Sequence, residues 1–490
     1  MTSSKSTKRA LITSALAILM CAAMLIGATF AWFTDTASTG VNKIVSGNLK
    51  VDIIGADSDS HIEKLNFTKA ATTDAEAGAE ILWEPGCRYL TEGFRIANKG
   101  NLALKWKAQV NTGTTAANEG NFDLLDVIDF YLVTKAADET ETETALDEFT
   151  GNLKKTETSD VYYIKGVMQT TAGNDYQGLT LDGISITVVA TQDTVESDSF
   201  NNQYDKDAEY PILVTTGDEL QAIVSNATAP VNIVLTNSIT TNNFVIPEDK
   251  DVTLDLNGRT VTNAGSHTIL NKGHLTLTDS SADKSGQIIS LKGNTAALRN
   301  GDNAVCVVEG GTISRDGANG NTWHVVENFG KMTFNGGKVV LKNGNGFAIT
   351  NGWNYFDPGA STTHAVMEIN ALELDTDSSG IKNCRYGDLT VNDVTVTSTG
   401  YWALSNDYLG TAVINGGTLT SNSFKAVSNG AAMTVNGGTF DGTQGFFVQS
   451  YATSTVLNGG TFTNMNVNAL SNYVGTGHTA QQSGTSVIIK

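Results

Sequence analysis

Asn415-Gly416-Gly417-Thr418 returns as Asn436-Gly437-Gly438-Thr439 and again as Asn458-Gly459-Gly460-Thr461. The first glycines are 21 residues apart from 416 to 437 and 22 residues apart from 437 to 459. Earlier copies are Glu309-Gly310-Gly311-Thr312, Asn335-Gly336-Gly337-Lys338, and the worn Asn370-Ala371-Leu372-Glu373 and Asn392-Asp393-Val394-Thr395. A fixed period of this length predicts stacked units, each of which buries its apolar face against its neighbours.

A second pattern runs in step with the first: a small or apolar residue, an apolar residue, any residue, and then Asn. Asn tolerates the left-handed backbone conformation, so it suits a sharp turn between strands. Stacked at one turn, Asn side chains can also hydrogen-bond to each other along the stack. In the copy Phe447-Val448-Gln449-Ser450, Ser replaces Asn. The predicted Asn ladder consists of Asn271, Asn300, Asn328, Asn351, Asn383, Asn406, Asn429 and Asn472.

A unit of this size fits three short strands joined by turns, because apolar and polar residues alternate, as in Met433-Thr434-Val435. Parallel stacking advances about 4.8 Å per turn, so nine or ten turns make a rod of roughly 40–50 Å. Thr216-Gly217-Asp218-Glu219 has the spacing of a helix capping box and predicts a short helix over the first turn. Residues 210–490 resemble the pectate-lyase-like right-handed parallel β-helix, and Val252 to Val261 looks like the first turn of bacterial surface members of that group.

The opposite end of the chain is typical of a signal peptide. Lys5, Lys8 and Arg9 precede an uncharged apolar run from Ala10 to Ala31. Small residues before the predicted cut place cleavage between Ala31 and Trp32. The run is also long enough to span a bilayer if it is never cut. We expect residues 1–31 to be a leader and the mature chain to be secreted.

Three ordered blocks after the leader resemble the TasA/camelysin family. They are Ala31 to Thr36 with Val45 to Ile53, Trp83 to Trp106, and Ile184 to Gln192 followed by Glu196 to Phe200. The resemblance implies a Gram-positive surface or biofilm-matrix protein, processed by a dedicated signal peptidase, with a β-sandwich of jelly-roll or immunoglobulin-like type at 32–205. Alternating strands such as Leu49-Val51-Ile53 agree with that fold. The whole chain is therefore predicted to be all-β.

Composition limits the partners. The formal net charge is −20 at pH 7, and no basic patch is large enough to predict nucleic-acid binding. Once the leader is removed, the cysteines that remain are Cys87, Cys306 and Cys384, an odd and sparse set that argues against a disulfide framework.

Neither half carries a convincing catalytic motif. The chain has no adjacent Asp pair and no His-Gly step of the kind that hydrolases of the β-helix group carry, and the N-terminal domain has His61 without a His-Glu-x-x-His. The weak alternative is a polysaccharide lyase or hydrolase built from Asp375, Asp377, Asp388 and Asp393 with Lys382 or Arg385 as base. We expect no catalytic residue, no cofactor and no metal ion.

An aromatic edge follows the Asn turns. Phe329, Tyr386, Tyr408, Tyr451 and Tyr473 come just after successive turns, and an insertion after Asn351 adds further aromatics. Loops on one face of a solenoid are the usual place for binding. The candidate glycan-binding residues are Trp353, Tyr355, Phe356, Asp357, Tyr386, Tyr408 and Tyr451, with Asn354 and Asp407 as further hydrogen-bonding groups. Trp323 and Trp402 are interpreted as packing residues.

The leading hypothesis is a non-catalytic cell-surface or biofilm-matrix protein whose β-helix acts as an adhesin. Its partner would be an extracellular polysaccharide or a glycan on a host or neighbouring cell. The alternative is a fibre subunit that self-associates by donating the strand Trp32 to Ile44 to a neighbour, as the TasA resemblance implies.

Overall fold

A computed structural model describes residues 49–62, 65–68, 83–111, 114–115, 122–146, 149–179, 181–182, 185–193, 209–318, 323–354 and 363–490. The described chain falls into two compact units. The first contains the described parts of 49–108, 119–178 and 190–208, and the second contains the described parts of 109–118, 179–189 and 209–490. The domain bounds 32–205 and 210–490 stay predictions. Cleavage at Ala31 and Trp32, and strand donation by residues 32–44, concern positions outside the described residues and stay predictions.

The N-terminal strands form antiparallel sheets. The largest has the order β1-β4-β10-β3-β2, with β7 on β10 and β8 on β7, while β12-β5-β9 and β11-β6 form smaller sheets. Rings from the two larger sheets meet, since Trp106 on β5 lies 6.2 Å from Tyr162 on β10, and Phe149 on β9 lies 5.1 Å from Tyr162. Sheet packing against sheet is the arrangement of a β-sandwich, which the family resemblance implied. The jelly-roll or immunoglobulin-like type stays a prediction. The strands are β1 (Val51–Gly55), β2 (Phe67–Thr68), β3 (Arg88–Thr91), β4 (Phe94–Asn98), β5 (Leu104–Asn111), β6 (Thr114–Thr115), β7 (Ile128–Lys135), β8 (Glu141–Ala145), β9 (Phe149–Leu153), β10 (Tyr162–Met168), β11 (Leu181–Asp182) and β12 (Ser185–Gln192), with 3-10 turns at Leu124–Asp126 and Asn174–Tyr176.

The second unit is a right-handed parallel β-helix of about ten turns, as the repeat predicted. Each turn contributes one strand to each of three sheets, here named S1, S2 and S3. S1 contains β13 (Ile212–Val214), β14 (Val231–Leu235), β17 (Asp251–Asp255), β20 (His274–Thr278), β23 (Val305–Val308), β26 (Lys331–Phe334), β29 (Ala365–Ile369), β32 (Gly387–Val391), β35 (Thr411–Ile414), β38 (Ala432–Val435) and β41 (Ser454–Leu457). S2 contains β15 (Ile239–Thr240), β18 (Thr260–Asn263), β21 (Gln287–Ser290), β24 (Thr312–Asp316), β27 (Lys338–Lys342), β30 (Glu373–Thr376), β33 (Thr395–Ser398), β36 (Thr418–Ser421), β39 (Thr439–Gly442), β42 (Gly460–Phe462), β44 (Ser486–Ile489) and β43 (Ala480–Ser483). S3 contains β16 (Val245–Ile246), β19 (Ile269–Asn271), β22 (Leu298–Asn300), β25 (Val326–Asn328), β28 (Phe347–Asn351), β31 (Ser379–Asn383), β34 (Leu404–Asn406), β37 (Val427–Asn429) and β40 (Phe446–Val448).

Three of the four positions of the Asn-Gly-Gly-Thr repeat, the Asn and both glycines, have a physical reason. The second glycine needs a left-handed backbone, with φ of 94° at Gly417 and 105° at Gly438. The first glycine lies so close to the turn before it that a Cβ on Gly437 would come within 2.7 Å of the Asn415 carbonyl oxygen. The asparagines of the motif form an exposed ladder of side-chain hydrogen bonds of 2.7–3.0 Å that runs through Asn458, Asn436, Asn415, Asn392, Asn370 and Asn335. This second ladder was not predicted from the sequence.

The predicted Asn ladder is buried at the end of S3. Hydrogen bonds of 2.7–2.9 Å link Asn271, Asn300, Asn328, Asn351, Asn383, Asn406 and Asn429 in turn. At its last step the amide of Asn429 donates to the Thr455 hydroxyl instead. Asn472 is not a member: it is exposed in the 3-10 turn Ser471–Tyr473, because the chain has left the helical repeat there. The equivalent position on the turn after Asn429 is Val448, not Ser450.

Both ends of the solenoid core are covered. At the start, helix α1 (Gly217–Asn226) is capped by Thr216, whose hydroxyl accepts from the Glu219 amide at 3.2 Å, and it buries Leu220 and Val224 in the core. The predicted helix is thus confirmed. At the far end, α2 (Val467–Leu470) buries Leu470, and β44 turns antiparallel to β42, burying Val487 and Ile489. In the described part of the chain no helix is both long and apolar enough to cross a membrane.

Candidate binding groove

The outward face of S3 carries a column of six polar side chains and one aromatic ring, and three of the polar side chains are shielded from solvent. Register places Arg299, Glu327, Thr350, Lys382, Ser405, Ser428 and Phe447 on top of one another. These residues point away from the core, because they alternate with inward residues such as Val326 and Asn328. Nevertheless Glu327, Thr350 and Ser428 are only 2–3 % exposed. The column therefore lies beneath the residues that flank S3, as the floor of a candidate groove.

One side of the groove, here named the front wall, consists of aromatic residues at or just before the start of four S3 strands: Trp323 before β25, Phe347 at the start of β28, Tyr401 and Trp402 before β34, and Phe424 before β37. Phe347 stacks on Trp402 with ring centroids 5.9 Å apart and an interplanar angle of 9°. Trp402 meets Phe424 edge to face at 5.5 Å, and Tyr401 contacts both of these rings. Tyr401 itself is 55 % exposed, so the front wall presents a free ring to solvent.

The other side, here named the rear wall, follows the Asn turns and contains the aromatic edge that the sequence predicted. Phe329 meets Trp353 at 5.5 Å, and Trp353 and Tyr386 are buried with Ala365. These two rings pack on the fold and are not free to stack on a ligand, which corrects the expectation for Trp353 and Tyr386. Tyr408 and Tyr451 are 49 % and 55 % exposed and remain candidates. Tyr355, Phe356 and Asp357 lie outside the described residues.

Two polar networks organise the floor. In the first, the Glu327 carboxylate accepts from Arg299 at 2.9 Å and from the Trp323 indole at 2.9 Å, and Arg299 lies 4.5 Å from the Phe329 ring centroid. In the second, Lys382 donates to Asn354 at 2.8 Å and pairs with Asp407 at 3.0 Å. The two networks hold a buried carboxylate, Glu327, and an ammonium, Lys382, two strands apart along one column.

Burial keeps the histidines beside the floor neutral. Desolvation lowers the pKa of His324, and its ring nitrogens contact the Phe347 carbonyl at 3.0 Å and the Asn354 amide at 3.4 Å. Desolvation also lowers the pKa of His267, whose Nδ1 accepts from the Ala296 amide at 2.8 Å. At neutral pH both rings are therefore uncharged and serve as fixed hydrogen-bonding groups.

Lys425 adds a cation to the far end of the groove. Its ammonium lies 3.7 Å from the centroid of the Phe447 ring and 4.8 Å from that of Phe424. Phe447 is the last member of the floor column and is 38 % exposed. Aromatic faces attract a cation, so these rings hold Lys425 in place at this end.

The residues proposed for a lyase do not share this groove. Asp375 is on S2, where it pairs with Lys338 at 2.8 Å. Asp388 is on S1 and contacts His364 at 3.0 Å, whereas Lys382 is on S3. Asp377 accepts from the Gly344 amide at 3.1 Å in a turn after S2. Since the set is spread over three faces, these residues do not form one catalytic site. Within the described ranges no group of three or more His, Cys, Asp or Glu is arranged to hold a metal ion.

The front wall is what sequence reasoning missed. Trp402 was interpreted as a packing residue and does pack on Phe347 and Phe424. The wall as a set was not predicted, although Phe347 and Trp402 stand one residue before the small-apolar pattern, and Trp323 and Phe424 two residues before it. The recurrence of an aromatic residue near that point was the available signal. An aromatic residue at such a place does not by itself reveal which way its ring points, so this signal did not predict the wall.

Comparison with known proteins adds no identity. No protein-family model matches this chain, and no match was found among curated proteins.

Proposed function

We propose that this chain is a secreted surface protein whose β-helix binds an extended polysaccharide along the groove on S3. The observation that carries the proposal is a shielded polar column lying between two aromatic walls over several consecutive turns. Aromatic faces stack on the apolar faces of sugar rings, while fixed polar side chains bind hydroxyl groups. The groove offers both kinds of contact.

The direction of the groove favours a polymer. Its floor crosses the strands, so it repeats once per turn, at about 4.8 Å. From Arg299 to Phe447 the column spans seven successive strands of S3. A chain of sugars laid along this axis meets a further floor residue at each turn, whereas a single sugar meets the floor residues of one turn only.

The net charge of the chain argues against nucleic acid as the bound polymer. The chain carries a net charge of −20, which repels the phosphates of nucleic acids. The cationic side chains of the groove already contact aromatic or acidic neighbours. Lys425 lies on the Phe447 ring, and Lys382 lies beside Asp407. Secretion and a place at the cell surface or in the matrix rest on the predicted leader and on the resemblance of the N-terminal domain to TasA.

The test is retention of polysaccharides by residues 32–490, measured beside variants that remove exposed rings. Tyr401→Ala and Tyr408→Ala each remove a free ring from one wall and should weaken binding about 5- to 10-fold, the equivalent of roughly 1 kcal/mol. Val366→Ala is the matched control, because Val366 is 40 % exposed on S1, away from the groove. Equal binding by all four proteins, or no retained polysaccharide, would contradict the proposal.

A further inference from the structure

Lys382, Asn354 and Asp407 form a compact triad on the groove floor. The Lys382 ammonium lies 2.8 Å from the Asn354 side-chain oxygen and 3.0 Å from an Asp407 carboxylate oxygen. They come from three consecutive turns: Asn354 follows β28, Lys382 is on β31, and Asp407 follows β34. An amine, a primary amide and a carboxylate are thus held together by the stacking of the solenoid.

The Asn354 amide is held in one orientation. Its nitrogen donates to Nε2 of His324 at 3.4 Å, and its oxygen therefore faces Lys382. The His324 ring is positioned in turn by its contact of 3.0 Å with the Phe347 carbonyl, where Nδ1 is the donor. With Nδ1 carrying the proton, Nε2 is left as an acceptor for the amide.

The amine and the carboxylate are equally constrained. The Lys382 side chain is 18 % exposed and its ammonium lies 5.4 Å from the centroid of the Phe347 ring. The second Asp407 oxygen accepts from the Tyr408 backbone amide at 2.9 Å. Because a carbonyl bond is about 1.2 Å long, the Lys382 nitrogen lies within about 4 Å of the Asn354 amide carbon. Productive attack needs the nitrogen about 3–3.5 Å from that carbon, so a side-chain shift of about 0.5–1 Å would bring the two atoms into reach, with the large effective concentration of an intramolecular reaction.

We propose that Lys382 and Asn354 join through an intramolecular isopeptide bond, with Asp407 as the proton acceptor. The Lys382 ammonium gives a proton to Asp407, and the freed nitrogen lone pair attacks the amide carbon of Asn354. A carbon–nitrogen bond forms, and the bond from that carbon to the Asn354 side-chain nitrogen breaks. The departing nitrogen takes the proton from Asp407 and a second from the attacking nitrogen, so it leaves as ammonium. No oxidant or other reactant is needed.

The product would tie two neighbouring turns together. The bond would link the segment after β28 to β31 and would close a loop over the insertion that separates Asn351 from β29. A covalent tie across this loop would fix one side of the rear wall and resist unwinding of the solenoid under tension.

Mass spectrometry of residues 32–490 tests the bond. The intact chain should be lighter than its sequence by one ammonia. Trypsin should not cut after Lys382, because an acylated lysine is not a substrate. Lys342 and Arg385 are the flanking cleavage sites, so the digest should contain 343–385 as one internally looped peptide.

Mapping the position matters because Asn-Gly pairs can also lose ammonia, by attack of the glycine amide. Lys382→Arg keeps a cation beside Asp407 but removes the nucleophile, and Asp407→Asn keeps the side-chain shape but removes the proton acceptor. Both variants should regain the full mass and normal cleavage after position 382. Wild-type chain at full sequence mass, or cleaved after Lys382, overturns the bond. A bond that persists in Asp407→Asn overturns the role of Asp407.

Discussion

Asn383 illustrates how one buried amide holds the solenoid together. Its nitrogen donates to Asn406, to the Gly387 carbonyl and to the Thr411 carbonyl at 2.8–2.9 Å, and its oxygen accepts from Asn351 at 2.9 Å. It is fully buried, so removing it leaves several polar groups without water or a partner. The pattern of apolar residues before Asn predicted this ladder because its members repeat in step with the strands.

Substituting the two ladders separately should reveal their difference. Asn383→Ala is expected to lower the free energy of unfolding by about 3 kcal/mol, because buried unpaired groups remain. Asn415→Ala breaks the exposed ladder, where water can replace the lost bonds, and should cost less than about 1 kcal/mol. Denaturant titration of both variants measures the difference. Equal losses would contradict the assigned roles.

The buried histidines should make stability depend on pH. Burial lowers the pKa of His324 and His267 in the folded chain. In the unfolded chain a histidine side chain has a pKa of about 6.5, so below that pH the unfolded chain binds more protons than the folded chain. The free energy of unfolding should therefore fall as the pH drops from 7.5 to 5.5. The Glu327 carboxylate raises the pKa of both histidines and so opposes the effect of burial, whereas the Arg315 guanidinium lowers it further.

His324→Gln tests this dependence, since glutamine does not titrate. The loss of melting temperature between pH 7.5 and 5.5 should be smaller in the variant than in the wild type. Carboxylates titrate mainly below this window and should affect both proteins alike. If the variant and the wild type show the same pH dependence, protonation of His324 costs the folded chain no stability.

At the scale of elements, the sequence predicted the strands and the capping helix α1 better than it predicted the walls of the groove. Period and alternation determine which residues face the core, so S1, S2 and S3 followed from the repeat. Thr216 predicted helix α1 because capping is a local property. The walls of the groove depend on how side chains from different turns meet. Trp353 and Tyr386 were expected to be free but are buried with Ala365, which lies at the start of the next S1 strand.

The terminal hairpin β43–β44 was only partly visible in the sequence, as the apolar run Val487-Ile488-Ile489. It covers the end of S2, where β42 would otherwise present an open edge, and buries Val487 and Ile489. A chain that stops at Thr479 should expose this edge and self-associate, as measured by light scattering after size-exclusion chromatography. The double variant Val487→Ala/Ile489→Ala should destabilise the folded chain but leave the edge of β42 covered by β44. A truncated chain that stays monomeric with an unchanged melting temperature would contradict the capping role.

At the scale of the whole molecule, the solenoid turns a short repeat into a long, regular surface. Three faces are built on one core, and they differ in character: S3 carries a shielded polar column between rings, whereas the Asp375 and Lys338 pair lies on S2. The same period that stabilises the rod therefore also spaces the groups of the groove. A polymer ligand along S3 is the function that this repetition favours.

The most direct measurement is the affinity of residues 32–490 for a series of oligosaccharides of increasing length, taken from a polysaccharide that the protein retains. If the ligand lies along the groove, affinity should rise with each added sugar until the floor from Arg299 to Phe447 is occupied, and then level off. Tyr401→Ala should lower affinity for the long oligosaccharides more than for the shortest. Affinity that is independent of length, or unaffected by Tyr401→Ala, would contradict a polymer bound along S3.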